Sequence, residues 1–162
     1  MALIVEDGTG LEDADSFVTL EEVRAFAQSR GATVSDDDTV LEPLVRSAHD
    51  YLLSVEGRFQ GNRAVAGQSL PFPRCGVQLF GVDLETDVIP RCVKSAACQL
   101  VLETLDPMAS SDGRVVLSET VGPISTTYGN PGVGGTAPIL PRVDTFLTPV
   151  FSTGSFLSTR RV

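Results

Sequence analysis

Apolar positions recur along this chain in four separate stretches, and each stretch carries its own start and stop signals. Thr19 stands three residues before Glu22, the spacing of a capping box, and Leu20, Val23, Phe26 and Ala27 follow at helical intervals until Gly31. This predicts a short first helix. Asp36, Asp37 and Asp38 then offer an N-cap and negative charge for the positive end of a helix dipole. Leu41, Leu44, Val45, Ala48, Leu52 and Val55 fall on one face behind them, so an amphipathic second helix should start a few residues before Pro43 and end near Gly57. Asp87 and Pro90 announce a third helix, whose broad apolar stripe of Ile89, Val93, Ala96, Ala97, Leu100, Val101 and Leu105 runs out near Asp106-Pro107. Leu140, Val143, Phe146 and Leu147 form one short amphipathic turn or helix between Pro141 and Pro149.

Between these helices the pattern changes. Residues 57 to 87 hold Gly57, Gly61, Gly67, Pro71, Pro73, Gly76 and Gly81, too many breakers for long regular structure. Leu70, Phe72, Val77, Leu79 and Phe80 are nevertheless apolar enough to be buried, which predicts a loop packed on the helices. Arg114–Glu119 and Val121–Tyr128 are rich in Val, Ile and Thr and read as the two strands of a hairpin, followed by a glycine-rich loop over Gly129–Gly135. At the start, Asp7-Gly8, Thr9-Gly10 and Glu12-Asp13-Ala14-Asp15 are turn chemistry, an extended lead-in over residues 1–18. The end, Phe151 to Val162, is Ser/Thr-rich with Arg160 and Arg161. The expected fold is mainly α with a small β-hairpin, an α+β single domain over residues 1–150. Helices and packed loop occupy 19–106, hairpin and short helix 114–149, and a tail 151–162.

With 162 residues, one modest core is all the chain can bury. The formal net charge of −9 gives a surface field that repels phosphate backbones and anionic membranes. No run approaches the ~20 apolar residues of a membrane helix, and Met1-Ala2-Leu3-Ile4-Val5-Glu6-Asp7 lacks the basic and apolar regions of a signal peptide, so a cytoplasmic protein is expected. Cys75, Cys92 and Cys98 form no C-x-x-C pair and are expected to be reduced, small apolar residues.

Candidate chemistry is sparse. His49, followed by Asp50, could act as a base with its orienting partner, but it flanks the row of Val45, Ala48 and Leu52, where a half-buried helix residue is expected. Gly129-Asn130-Pro131-Gly132-Val133-Gly134-Gly135 lacks the Lys-Ser/Thr ending of a phosphate loop. The acidic runs lack the spaced ligands and central Gly of a calcium loop. Cys92 and Cys98 are about 240° apart around a helix and cannot share a ligand. Arg58 and Arg63 are the nearest approach to a basic patch, without interleaved aromatics for stacking on bases. No catalysis, cofactor or metal is expected.

Leu3-Ile4-Val5-Glu6-Asp7-Gly8-Thr9-Gly10 with Ala14-Asp15-Ser16-Phe17-Val18 resembles the opening of a phage protein family often labelled DnaT-like single-stranded-DNA-binding. Ala48-His49-Asp50-Tyr51-Leu52, Leu70-Pro71-Phe72-Pro73-Arg74-Cys75-Gly76-Val77, Ile89-Pro90-Arg91-Cys92-Val93-Lys94 and Val121-Gly122-Pro123-Ile124 follow in that family's order, so the resemblance covers nearly the whole chain. Such proteins look like head–tail connector adaptors: small helix bundles with a hairpin, assembled as a ring, usually dodecameric, beneath the portal of a tailed phage. The resemblance implies a structural, non-catalytic virion protein of the head–tail neck, assembled in the host cytoplasm. Its partners would be the portal protein, copies of itself and the next connector ring or tail protein, with genomic DNA passing through a channel and no membrane contact. The alternative is a single-stranded-DNA-binding protein of phage replication. On the connector reading the hairpin residues Arg114, Glu119, Thr126 and Tyr128 line or rim the channel. The tail residues Phe151, Phe156, Leu157, Arg160 and Arg161 dock on the portal.

Overall fold

The computed structural model describes residues 3–105, 115–120, 125–129 and 140–152, the strands 115–120 and 125–129 as backbone only. Four helices carry the fold: α1 (Leu20–Ser29), α2 (Asp38–Ser54), α3 (Arg91–Leu105) and α4 (Pro141–Leu147). Their limits follow local chemistry. At α1 the capping box closes as the sequence predicts, with the Glu22 N–H donating to Thr19 Oγ1 at 3.1 Å and the Thr19 N–H to Glu22 Oε2 at 2.8 Å. At α2 the Asp37 carboxylate takes both the N–H and the hydroxyl of Thr39, and Pro43 lies inside the helix, five residues after its first residue Asp38, where it withholds one N–H from the helical ladder.

Helix α3 is central, packed against α1, α2 and α4 at once. That placement accounts for its broad stripe: Val93, Ala96, Ala97, Cys98, Leu100 and Val101 are all buried because three neighbours surround the helix. Leu41, Val45, Ala48 and Leu52 of α2 and Val143 and Leu147 of α4 complete one continuous core. The class is therefore α+β, mostly helical, as expected.

Three two-stranded antiparallel pairs occur among the described residues. The expected hairpin is present as β5 (Val115–Thr120) and β6 (Ser125–Gly129), with Glu119 opposite Thr126, Val116 opposite Tyr128 and an irregularity between Val116 and Ser118. Arg114 and residues 121–124 of the predicted strands lie outside the described residues, and the pairing runs on to Thr120 and Gly129. The other two pairs, β1 (Asn62–Arg63) with β2 (Arg74–Cys75) and β3 (Gln78–Leu79) with β4 (Val82–Asp83), stiffen the expected packed loop. Leu70, Phe72 and Val77 are buried as predicted and Leu79 partly so, but Phe80 is not: it occupies the β3–β4 turn with φ +52° and is 91% exposed. Its apolar character misled the prediction because a two-residue strand and a turn cannot carry a tip residue back to the core.

The lead-in does more than its composition suggests. Ala14, Phe17 and Val18 are core residues, and Val5 bridges Ser16 in parallel. Glu6, only 2% exposed, accepts the N–H groups of Gly8, Gly10 and Leu11 at 2.9, 2.8 and 2.8 Å. A buried carboxylate satisfied by three backbone donors organises this whole turn. Gly8 is required there, since its φ is +106° and a Cβ would lie 2.0 Å from the Asp87 carbonyl oxygen.

Candidate interaction surfaces

His49 is fully buried, not half-buried. The Phe17 N–H donates to its Nε2 at 2.8 Å, the Ser16 hydroxyl lies 3.4 Å from the same nitrogen, and Nδ1 donates to the Val45 carbonyl at 2.7 Å. Both ring nitrogens are thus committed to tying the lead-in onto α2. Burial holds the imidazole neutral, lowering its pKa to about 4 against the opposing pull of the Val45 carbonyl, Asp50 and Asp15. A base so placed has no access to a substrate. Burial likewise raises the Cys92 thiol and pushes Cys98 up to about 12, which leaves both as thiols. Among the described residues no group of three or more His, Cys, Asp or Glu could hold a metal ion, and no helix is long and apolar enough to cross a membrane.

Arg58 and Arg63, the nearest approach to a basic patch, are both engaged by carboxylates. Arg63 forms a two-pronged pair with Glu56 at 2.7 and 2.6 Å, and Arg74, buried, reaches the same carboxylate at 3.1 Å. Arg74 also donates to the carbonyls of Gln60, Gly61 and Pro71, which clamps the Pro-Phe-Pro-Arg segment to the end of α2. The Arg63 hydrogen bond, reinforced by the charges of both guanidiniums, holds the Glu56 carboxyl below the usual range. Arg58 pairs with Asp144 at 3.3 Å and lies over the Phe151 ring at 4.0 Å. Arg24 pairs with Asp38, and Arg46 with Asp15 and Glu42.

Four cations make no ion pair among the described residues: Arg30, Arg91, Lys94 and Arg142. Three of them gather where α1 meets α3, around a groove of about 360 Å³ floored by Val18, Phe26 and Cys98. The Arg30 guanidinium lies 3.4 Å from the Phe26 ring centre. Glu22 shares the lining, but its carboxylate is turned to the Thr19 N–H. Sequence reading missed this basic, aromatic-lined groove because helix packing, and not spacing, brings its two sides together. The only local signal was Arg91 and Lys94 at i and i+3.

The predicted site residues fare unequally. Phe151 belongs to the domain and not to a free tail: it bridges Phe59, stacks on its ring at 5.4 Å, and is followed by Ser152, whose N–H donates to the Arg58 carbonyl at 2.7 Å. Phe156, Leu157, Arg160 and Arg161 lie outside the described residues, as does Arg114. Glu119, Thr126 and Tyr128 are on the paired strands of the hairpin. No curated protein and no solved structure matches the chain. Its family is clear from a match that spans residues 1–162: the chain belongs to the family described as Putative DnaT-like ssDNA binding protein.

Proposed function

We propose that this protein is a structural virion subunit, a head–tail connector that forms a ring under the portal and links it to the tail while leaving a channel for DNA. The observation that carries the reading is where the positive charge goes. On a chain of net charge −9, Arg24, Arg46, Arg58, Arg63 and Arg74 are all engaged by carboxylates of their own domain. Tight nucleic-acid binding draws on several unpaired Lys and Arg that release counterions from phosphates. An acidic ring with these five arginines engaged internally lets duplex DNA pass without gripping it.

Exposed apolar residues fit the same reading, because ring subunits need contact faces more than active sites. Ile4, Val40, Val65, Phe80, Val82 and Val88 all stand out from the surface. In this arrangement α1 to α3 provide the subunit core and lateral contacts, and the β5–β6 hairpin with Glu119, Thr126 and Tyr128 lines or rims the channel. The tail beyond Ser152, with Phe156, Leu157, Arg160 and Arg161, reaches the portal. Phe151 serves its own domain.

One observation favours single-stranded-DNA binding instead: the α1–α3 groove sets Arg30, Arg91 and Lys94 around Phe26, a pairing of phosphate-seeking cations with an aromatic face. The family description points the same way. The two readings separate in one experiment, a native mass determination of the protein alone and with portal rings, with a labelled single-stranded oligonucleotide present. Portal-dependent ring formation without oligonucleotide uptake supports the connector. Salt-sensitive oligonucleotide binding without portal association refutes it and establishes the single-strand reading.

A further inference from the structure

We infer that the β3–β4 hairpin of one copy seats Phe80 in the α1–α3 groove of a second copy, making a head-to-tail contact between subunits. This deepens the ring reading above and rests on it. Phe80 and Val82, 91% and 70% exposed, are the two most exposed large apolar residues described. Phe80 occupies the β3–β4 turn and Val82 follows it at the start of β4, opposite Leu79 across the pair.

Neither the core nor the turn accounts for an aromatic there. Phe80 sits at φ +52°, a region that Gly or Asn occupies more readily than any bulky side chain. Folding alone would favour a different residue at this position. The surroundings of the knob are acidic: Asp83, Glu85 and Asp87 follow it, and residues 75–90 contain no Lys or Arg.

The groove has the opposite character. Its floor of Val18, Phe26 and Cys98 is apolar, and Arg30, Arg91 and Lys94 supply positive charge around it. An apolar tip with carboxylates beside it therefore meets an apolar floor with cations beside it, the match that centres an interface on a buried aromatic anchor and steers its approach.

Hairpin and groove share no residue, and β3 is held against the Thr148–Val150 turn while the groove lies between α1 and α3. Each copy can therefore give its knob to one neighbour and its groove to another. Such a contact is heterologous and propagates into a ring or an open chain, unlike a two-fold contact that stops at a dimer.

Two variants test the contact in the full chain. Phe80→Asn removes the anchor, suits the positive φ and keeps the local charge. Arg91→Glu with Lys94→Glu reverses the groove at residues that make no ion pair. Analytical ultracentrifugation across a concentration series is expected to show wild-type species beyond the dimer, and each variant alone associating roughly thirtyfold more weakly, the loss of one anchor residue. An equimolar mixture of the two variants retains one good knob and one good groove, so it should stop at a heterodimer.

Wild-type-like association of Phe80→Asn overturns the inference, as does a mixture that stays monomeric or a wild type that never associates. Portal-bound rings that form normally with Phe80→Asn overturn this contact while leaving the connector reading intact. Oligonucleotide binding lost in the Arg91/Lys94 variant, with subunit association unchanged, assigns the groove to nucleic acid instead.

Discussion

The buried imidazole of His49 makes stability fall as pH is lowered, in a window that can be worked out from the structure. In the unfolded chain the ring takes a proton near its ordinary 6.5, and in the folded protein only at about 4, because it is enclosed and both nitrogens are already bonded. The sign follows directly. Between these values the unfolded state binds the extra proton, so acid favours unfolding. The contribution is fully present above 6.5, declines as pH falls, and is exhausted once the folded state also protonates near 4. Each tenfold difference in proton affinity is ~1.4 kcal/mol, so the fall from 6.5 to about 4 amounts to about 3 kcal/mol.

His49→Gln isolates this term, since a Gln can still accept the Phe17 N–H but does not titrate. Urea unfolding of both proteins between pH 7 and 4 should show the wild type losing about 3 kcal/mol more than the variant, or ~1.5 M in midpoint at an ordinary slope. Carboxylates cannot mimic the result. Glu56 is held below the usual range and Glu103 is raised by burial, and both titrate alike in the two proteins and cancel in the difference. A gap between wild type and variant that stays constant within ~1 kcal/mol from pH 7 to 4 would refute the reasoning. It would mean that the ring is solvated, or that the unfolded chain shields it equally.

Other perturbations give separable outcomes in the same unfolding assay. Glu56→Ala leaves buried Arg74 without its carboxylate and should cost about 3 kcal/mol, whereas Arg24→Ala breaks a pair whose Asp38 side chain is 61% exposed and should cost under ~1 kcal/mol. Gly8→Ala forces a Cβ against the Asp87 carbonyl at positive φ and should cost at least ~2 kcal/mol. Thr19→Ala removes one half of the capping box and should cost about 1 kcal/mol. In the folded protein Cys98, with its thiol pushed up to about 12, should resist a thiol reagent at pH 8 until denaturant is added, and rapid labelling would show that α3 opens locally.

The helices were legible because their determinants are local. Thr19 and Glu22 are three residues apart, Asp37 caps its own next turn, and Pro90 stands immediately before α3. Each signal acts within one turn of helix, the range over which sequence reading works. The ties that hold the lead-in were not legible: Glu6 gathers three N–H groups around two glycines, and His49 binds the Phe17 N–H from another element. Composition gave only an extended lead-in of turn residues, since the pattern of Asp, Gly and Thr cannot say that one carboxylate among several is folded inward.

The charge distribution shows how the same limit bears on function. A net charge of −9 fixes the field far from the molecule, where all charges sum, but an approaching partner meets single side chains whose availability depends on pairing. Arg58 and Arg63 are the nearest approach to a basic patch in the sequence, yet Glu56 engages Arg63 together with buried Arg74, and Arg58 is taken by Asp144 and the Phe151 ring. Lys94 and Arg30 lie far apart in the chain and looked scattered, yet they meet across one groove. Helix packing thus gathers unpaired cations that are scattered in the sequence at the junction of α1 and α3. Among the described residues, a partner drawn to positive charge, whether a neighbouring subunit or a nucleic acid, would meet three unpaired cations together there. The variants of Arg91 and Lys94 therefore discriminate between the two functions better than any measurement of overall charge.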